Sequence, residues 1–418
     1  MENVLAVIAE YNPFHNGHVY HLNKSKTLTN SNYSIAIISG NFTQRGNTSL
    51  VDKWSKAKMA LSNGFDLVIE LPTIYATSSA ENFAYGAIKI LNSLNIVDYV
   101  SFGSECPDIF LLDKFSSVLS DEPKEYKKLV SIELAKGISY PKAREKALIS
   151  YLKLSKRTSS IISSPNNILA IEYLKSLRLL KSNMSPIAIK RIESEYNDQN
   201  LRGEISSATS IRNAILNGEL SNIANAVPDS SFDILKENFD KGHIIPDISY
   251  FDNIILYNLR SMEVSDLLNI PDVSEGLEFS IKKAANSCNT VEELINIVSS
   301  KRYTRTRIQR ILIYVLLGIT KKDIALSKRT SPYIRILGFN DKGKTLISKI
   351  NKSNSKVNII TSVKKFYEIN TNRNLKRMID IDVFATNTYT LGYQKDSWGN
   401  LDYTQKLIRT NRKTLILV

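Results

Sequence analysis

The stretch AVIAEYNPFHNGHVYHL, residues 6–22, joins a short apolar run to a helical pattern through a Pro and an Asn-Gly pair. Residues 4–9, VLAVIA, are almost wholly apolar, as expected of a strand covered on both faces of a parallel sheet. Pro13 breaks the strand, and a helical pattern runs over 17–28. Three of the chain's four histidines, His15, His18 and His21, fall here within seven residues. A helix beginning right after the first strand of an open parallel sheet points its unpaired N–H groups and positive dipole end at the crevice where such sheets bind ligands. Gly17 lets a ligand approach the backbone closely. Two histidines around an Asn-Gly pair would then flank a phosphate at the helix start. Of the three, His21 reads as the structural member.

The alternation continues outward. YSIAIIS (33–39), DLVIEL (66–71) and VDYVSFG (97–103) are further apolar runs, and helical patterns lie between them over 51–63, stopped by Gly64, and over 79–94. Such a series predicts βαβ units and a parallel sheet. LVSIELAKG and PKAREKALISYLK read as amphipathic helices, and Ser164 with Pro165 opens another in SPNNILAIEYLKSLRLL. PIAIKRI (186–192) is a further strand. A polar loop follows, then ISSATSIRNAILNG, which begins on a Ser/Thr cap signal and ends at Gly218. Past AVPDSSF, helical periodicity dominates from about residue 232 to 352, so a boundary is expected near 219–235. The expected architecture is α/β: a Rossmann-like domain with a parallel sheet over 1–220, then a mainly α-helical, basic region over 230–418. VNIIT, DVFATNTYTL and KTLILV near the end read only as mixed structure.

Composition narrows the function. The 418 residues are 43% hydrophobic and 23% charged, a globular balance, and 55 Lys and Arg against 41 acids give a net charge of +14. Such an excess favours a polyanionic partner, nucleic acid first. Glu2 and Glu10 bracket the first apolar run, so it lacks signal-peptide form, and ILIYVLLGI (311–319) is too short to span a bilayer. The expected location is the cytoplasm, with no membrane contact. Cys106 and Cys288 lie far apart without C-x-x-C spacing, which speaks against a disulfide framework or a zinc site. The H-x-x-H-x-x-H spacing could offer three imidazoles to a metal, but no acidic or thiol ligand sits nearby, so no metal ligand is assigned. KRYTRTRIQR (301–310) gathers Lys301, Arg302, Arg305, Arg307 and Arg310 around Tyr303, a pattern suited to RNA phosphates and to stacking on an unpaired base. The plainer reading is a solvated helix start leading into ILIYVLLGI.

FHNGH resembles the HxGH signature of the nucleotidyltransferase superfamily, and ISSATSIR (205–212) resembles its second signature, with one residue more than the commoner spelling. The two stand in the right order, each at an expected helix N-terminus. AVIAEYNPFHNGH, SGNFTQRG (39–46), FDLVIELP, FGSE and NNILAIEYLKSL further resemble the tRNA(Met) cytidine acetate ligase family. The resemblance covers the first 215 or so residues closely, and the rest loosely through RYTRTRIQRILIYVLLGI and RILGFNDKGK.

What that resemblance implies is a two-step reaction. Acetate attacks the α-phosphate of ATP to give acetyl-adenylate and pyrophosphate, and the acetyl group then passes to the wobble cytidine of elongator tRNA(Met) as N4-acetylcytidine. ATP is thus the substrate, with Mg2+ its ordinary companion but fixed by no motif here. His15, His18, Ser207 and Arg212 would be catalytic. The ATP site would comprise Val7, Ile8, Ala9, Glu10, Tyr11, Asn12, Pro13, Phe14, His15, Asn16, Gly17, His18, Val19 and Tyr20, with Gly103, Asn166 or Asn167, Arg191, Ser206 and Thr209. Arg302, Tyr303, Arg305, Arg307 and Arg310 would meet tRNA. Arg45 and Lys53 could add phosphate or RNA contacts, Lys53 equally an exposed helix face. Two rivals stand beside this reading: a small-molecule adenylyltransferase, and a non-catalytic RNA-binding protein with a degenerate pocket.

Overall fold

The computed structural model describes residues 2–191, 206–353, 357–411 and 414–417. Ile192, the polar loop after it and Ile205 of the second motif lie outside the described residues. Five strands, β1 (Asn3–Ala9), β2 (Ser31–Ser39), β3 (Leu67–Leu71), β4 (Tyr99–Ser104) and β5 (Ser185–Lys190), lie parallel in the order β5-β4-β1-β2-β3. The chain runs β1-β2-β3 in one direction and then crosses back to place β4 on the other side of β1. The crevice at that switch point, outside the carboxyl ends of the strands, is where an open α/β sheet takes its ligand. The expected Rossmann-like arrangement is what the first half of the chain adopts.

The uninterrupted apolar runs have a direct physical cause. Val4, Ala6, Ile8, Ile35, Ile37, Leu67 and Ile69 face one core, while Leu5, Val7, Ala36, Ile38 and Val68 face another. Both sheet faces are therefore dry. Helices α1 (Asn16–Thr29), α2 (Lys53–Ser62), α3 (Ala80–Ser93), α4 (Pro165–Leu179) and α5 (Ala208–Leu216) connect or follow the strands. Trp54, Ala57 and Leu61 of α2 and Ile211 and Ile215 of α5 share the second core.

Helices dominate the chain beyond residue 229, among them α6 (Arg305–Leu317), which carries the buried ILIYVLL run, and α7 (Arg373–Thr390). The periodicity does not reveal that four late strands join the first sheet. β6 (Tyr333–Asn340) pairs antiparallel with β3 in a register that sets Glu70 opposite Arg335. β7 (Asn358–Ile360) and β8 (Ile408–Asn411) run parallel to β6, and β9 (Thr414–Leu417) closes against β8. β6 occupies what would otherwise be an open edge with unpaired backbone groups.

Buried charges join the early and late parts. Lys53 has no exposed surface, and its Nζ donates to both Glu70 carboxylate oxygens at 3.0 Å and to Asp402 Oδ1 at 2.8 Å. Arg335 Nη2 donates to Asp402 Oδ1 at 3.1 Å. Beside them, Tyr333 donates to the Asp382 carboxylate, which also accepts the Thr73 N–H at 2.7 Å. Burial lifts the Glu70 carboxyl to about 7 even though Lys53 pulls it down. Lys53 is held above the ordinary lysine range, because Asp402 and Glu70 outweigh the burial that would lower it. The expectation for Lys53 is thereby corrected: it is neither a phosphate or RNA contact nor an exposed helix face. Removing one partner from a buried ion cluster leaves uncompensated charge. Asp402→Ala is expected to lower the unfolding free energy by about 3–5 kcal/mol, read from the urea midpoint.

Candidate functional site

The turn after β1 is anchored from beneath. Tyr11, Pro13 and Phe14 are buried, and the rings of Tyr11 and Phe14 pack 4.7 Å apart with His18 above them at 4.8 and 5.4 Å. Asn12 Oδ1 accepts the Leu50 N–H at 2.7 Å, tying the turn to the segment before α2. His15 is the N-cap of α1: its Nδ1 accepts the Gly17 N–H at 3.1 Å, while His18 Nδ1 accepts the N–H of His15 at 3.1 Å. The first turn of α1 holds no acidic residue to compete with an anion.

These bonds decide the chemistry of the rings. A neutral imidazole that accepts at Nδ1 carries its proton on Nε2, so both rings present Nε2–H as a donor. Burial, reinforced by the charges of Arg191 and Arg212, presses His15 down to about 3. Burial and the neighbouring His15 hold His18 well below the usual histidine value. Both are neutral donors at pH 7. His21, lowered by burial to about 4, is tied through Nε2 to Ser101 Oγ at 2.9 Å, and Ser101 in turn meets Ser25 Oγ at 2.7 Å. It locks α1 onto β4.

The second motif reaches the same turn. Ser207 caps α5, its Oγ accepting the Ser210 N–H at 3.0 Å, and Ser206 is buried beside it. Arg212 Nη1 donates to the Asn12 carbonyl at 2.8 Å, and its Nη2 to Thr209 Oγ1 at 3.1 Å. Asn16 binds the segment between α5 and residue 229, its N–H donating to Ala226 O at 3.1 Å. On the other flank Arg191, just past β5, lies against Gly103 at the end of β4. A Cβ on Gly103 would stand 3.3 Å from Arg191 Cγ. Arg191 Nη1 donates to Asn166 Oδ1 at 3.3 Å.

The two asparagines separate clearly. Asn167 is 1% exposed; its Oδ1 accepts from Ser104 Oγ at 2.5 Å, Glu105 N at 3.0 Å and Cys106 N at 3.1 Å, and its Nδ2 donates to Ile161 O at 2.9 Å. Every polar atom is consumed in shaping the loop. Asn166 is half-buried and faces Arg191, with Nδ2 donating to Glu105 Oε1 at 2.7 Å. Of the residues expected around ATP, Val7, Ile8, Tyr11, Pro13 and Phe14 are buried and support the site from the core. Ala9, Glu10, Asn12, Asn16, Gly17, His18, Val19 and Tyr20 keep exposed surface.

The loop SGNFTQRG links this crevice to the basic segment. Gln44 N–H donates to Glu10 Oε1 at 2.6 Å, and Gly46 turns at φ +74° so tightly against α6 that a Cβ would lie 2.4 Å from Arg310 N. Arg45 is exposed at this turn. Of the basic residues expected to meet RNA, Arg307 and Arg310 are committed to the protein: Arg307 donates to Asp272 O at 2.9 and 2.6 Å, and Arg310 to Asp272 Oδ2 at 3.1 and 3.0 Å. The Tyr303 ring has the Arg307 guanidinium 5.2 Å from its centroid, and its hydroxyl donates to Glu275 O at 3.0 Å. Arg302 and Arg305 remain 49% and 45% exposed while pairing with Glu275 and Glu292. Sequence reasoning passed over Lys56 and Glu105. The signal for Lys56 is its place with Lys53, Ala57 and Ala60 on one face of α2, where apolar residues were expected. Among the described residues, no group of three or more His, Cys, Asp and Glu converges as a metal site, and no helix is long and apolar enough to cross a membrane.

Comparison with known proteins shows the family and the fold. Residues 1–402 match the family described as HIGH Nucleotidyl Transferase. A protein of Thermoanaerobacter sp. named tRNA(Met) cytidine acetate ligase is 47% identical over 407 residues, covering 97% of this chain and 99% of its own. One of the same name from Acetivibrio thermocellus is 45% identical over 413 residues, with coverage of 97% and 99%. The crystal structure of apo Thermotoga maritima TmcAL has a TM-score of 0.93 at 34% identity, covering 98% of this chain and 100% of that one. The form bound with alpha-thio ATP has a TM-score of 0.90 at 33% identity.

The two asparagines are expected to respond differently to truncation. Asn167→Ala should destabilise the protein by about 1–3 kcal/mol, because it strands buried donors. Asn166→Ala should leave the melting temperature within a degree or two and weaken ATP binding instead. Thermal unfolding and ATP titration separate the two.

Proposed function

The chain belongs to the HIGH nucleotidyl transferase family, and from that premise we propose that it is a tRNA(Met) cytidine acetate ligase. The observation that carries this reading is the convergence of two neutral, Nε2-protonated histidines with Arg191 and Arg212 at one helix start, in a chain alike over nearly its whole length to proteins of that name.

Acetate attacks the α-phosphorus of ATP, the bond to the bridging oxygen breaks, and pyrophosphate leaves. Negative charge gathers on the phosphoryl oxygens as two anions meet, so preformed donors and cations lower the barrier. His15 and His18 donate from Nε2, the free N–H groups of α1 add their dipole, and Arg191 and Arg212 supply permanent charge. Ser207 fixes the start of α5 by its cap, and Ser206 and Thr209 stand beside it to meet the outer phosphates. Gly103 and Asn166 hold Arg191 at the strand end, next to the nucleoside. In the second step the exocyclic amine of the wobble cytidine in elongator tRNA(Met) attacks the acetyl carbonyl, and AMP leaves.

The labour divides along the chain: nucleotide chemistry in residues 1–220, RNA binding in 230–418. Arg302 and Arg305, with Arg45 at the turn that touches α6, would supply the cationic surface for tRNA. Arg307, Arg310 and Tyr303 hold that surface in shape. Such an enzyme works where its tRNA is, in the cytoplasm.

The reading is tested by incubating the protein with ATP, labelled acetate and tRNA, with and without Mg2+, and locating the modified nucleoside. Label is expected in N4-acetylcytidine at the wobble position of elongator tRNA(Met); a free nucleotide cofactor formed without acetate would overturn it. His18→Ala is expected to slow acetyl-adenylate formation by about 100- to 1000-fold. Replacing Arg302 and Arg305 with Gln should weaken tRNA binding and shallow its log-log salt slope by about one for each phosphate no longer neutralised, with acetyl-adenylate formation spared.

A further inference from the structure

Two buried lysines stand one turn apart on α2 and are treated differently by the fold. Lys53 is neutralised by two carboxylates, as described above. Lys56 also has no exposed surface, yet its ammonium makes its hydrogen bonds to carbonyl oxygens: Gly40 O at 2.6 Å, Ser39 O at 2.8 Å and Glu10 O at 3.2 Å. Three carbonyls match the three N–H donors of a protonated lysine. Those carbonyls are not scattered. Glu10 is the first residue past β1, Ser39 ends β2 and Gly40 follows it, so all three lie at the carboxyl ends of neighbouring parallel strands.

The Glu10 carboxylate attracts this charge without a direct hydrogen bond to it among the described contacts, its Oε1 accepting the Gln44 N–H. A full charge held only by dipoles in a dry interior is expensive to keep. Burial accordingly pulls Lys56 down to about 8, against the carboxylates of Glu10, Glu70 and Asp52, with Lys53 adding to the fall. The reaction offers a reason for the charge, since it brings a carboxylate and a triphosphate together at this edge of the sheet.

We propose that Lys56 is a positioning residue for acetate activation, its ammonium clamping the exits of β1 and β2 and fixing one positive charge under the crevice where the two anions meet. It acts through the backbone of Glu10 and Gly40, one aimed into the histidine turn and the other into the loop that borders α6. The inference rests on the acetate ligase reading.

Acetate-dependent exchange of labelled pyrophosphate into ATP, without tRNA, tests it. If the unaltered protein shows no such exchange, the acetate ligase reading fails, and the proposal with it. If exchange occurs, kcat/KM for acetate should fall above about pH 8 as Lys56 loses its proton. In Lys56→Arg, which stays charged, that fall should vanish while activity persists. In Lys56→Met, kcat/KM for acetate should drop by about 10- to 100-fold and lose its dependence on pH in this range. Should Lys56→Met fail to fold, the profiles of the unaltered protein and of Lys56→Arg decide. The proposal is overturned by a flat profile from pH 7 to 10, by a fall that Lys56→Arg retains, or by a folded Lys56→Met with unaltered kcat/KM.

Discussion

His15 and His18 cap the first turn of α1 reciprocally, each ring taking a backbone N–H at Nδ1. The same two bonds that start the helix also choose the tautomer, and so point two Nε2–H donors away from the helix backbone. Helix initiation and the aim of the two Nε2–H donors are thus one interaction. Without it, the dipole of α1 would still face the crevice, but the two imidazole rings would be free to rotate. Tyr11 and Phe14 in the core below, and His21 fastened to Ser101, keep the turn from shifting under load.

Around that turn the protein concentrates positive charge while keeping acids away or occupied. Arg191 and Arg212 approach from β5 and α5, and Lys56 lies beneath the strand exits. Glu10 is engaged by Gln44, and Glu105 caps the start of α4 through the Asn166 and Asn167 N–H groups. Neutral histidines fit this setting, because a protonated ring would add to a field already strongly positive. The deeper ion cluster of Lys53, Glu70, Asp402 and Arg335 sits one layer below, where Glu70 Oε1 occupies the space a Gly40 side chain would need. Residues more than three hundred positions downstream therefore brace the loop that borders the site.

Much of this was legible in the residues. The apolar runs of β1 to β4 read as buried parallel strands because both faces of that sheet are covered, and HNGH read as a helix start because Pro13 breaks the strand just before it. Asn166 and Asn167 could not be told apart, since adjacent amides carry the same pattern and only their partners differ. Lys53 was misplaced for a related reason. A lysine on a helix is normally solvated, and nothing near it in sequence announces carboxylates on β3 and in the short helix Leu401–Thr404. The basic run from Lys301 to Arg310 showed its charge but not its commitments, because Asp272, Glu275 and Glu292 lie on other segments.

The sequence by itself determined the strand-turn-helix unit at the start, the succession of parallel strands and helices along the chain and the Ser/Thr cap of the second motif, all of which depend on contacts within a few residues or on periodicity. Tertiary structure alone decided the pairing of β6 with β3, the burial of Lys53 and Lys56, the different partners of Asn166 and Asn167, and the approach of Arg191 and Arg212 to His15. The reason is physical: side-chain period and capping are local and written in neighbouring residues, whereas the fate of a charge depends on whichever distant group the folded chain brings to it.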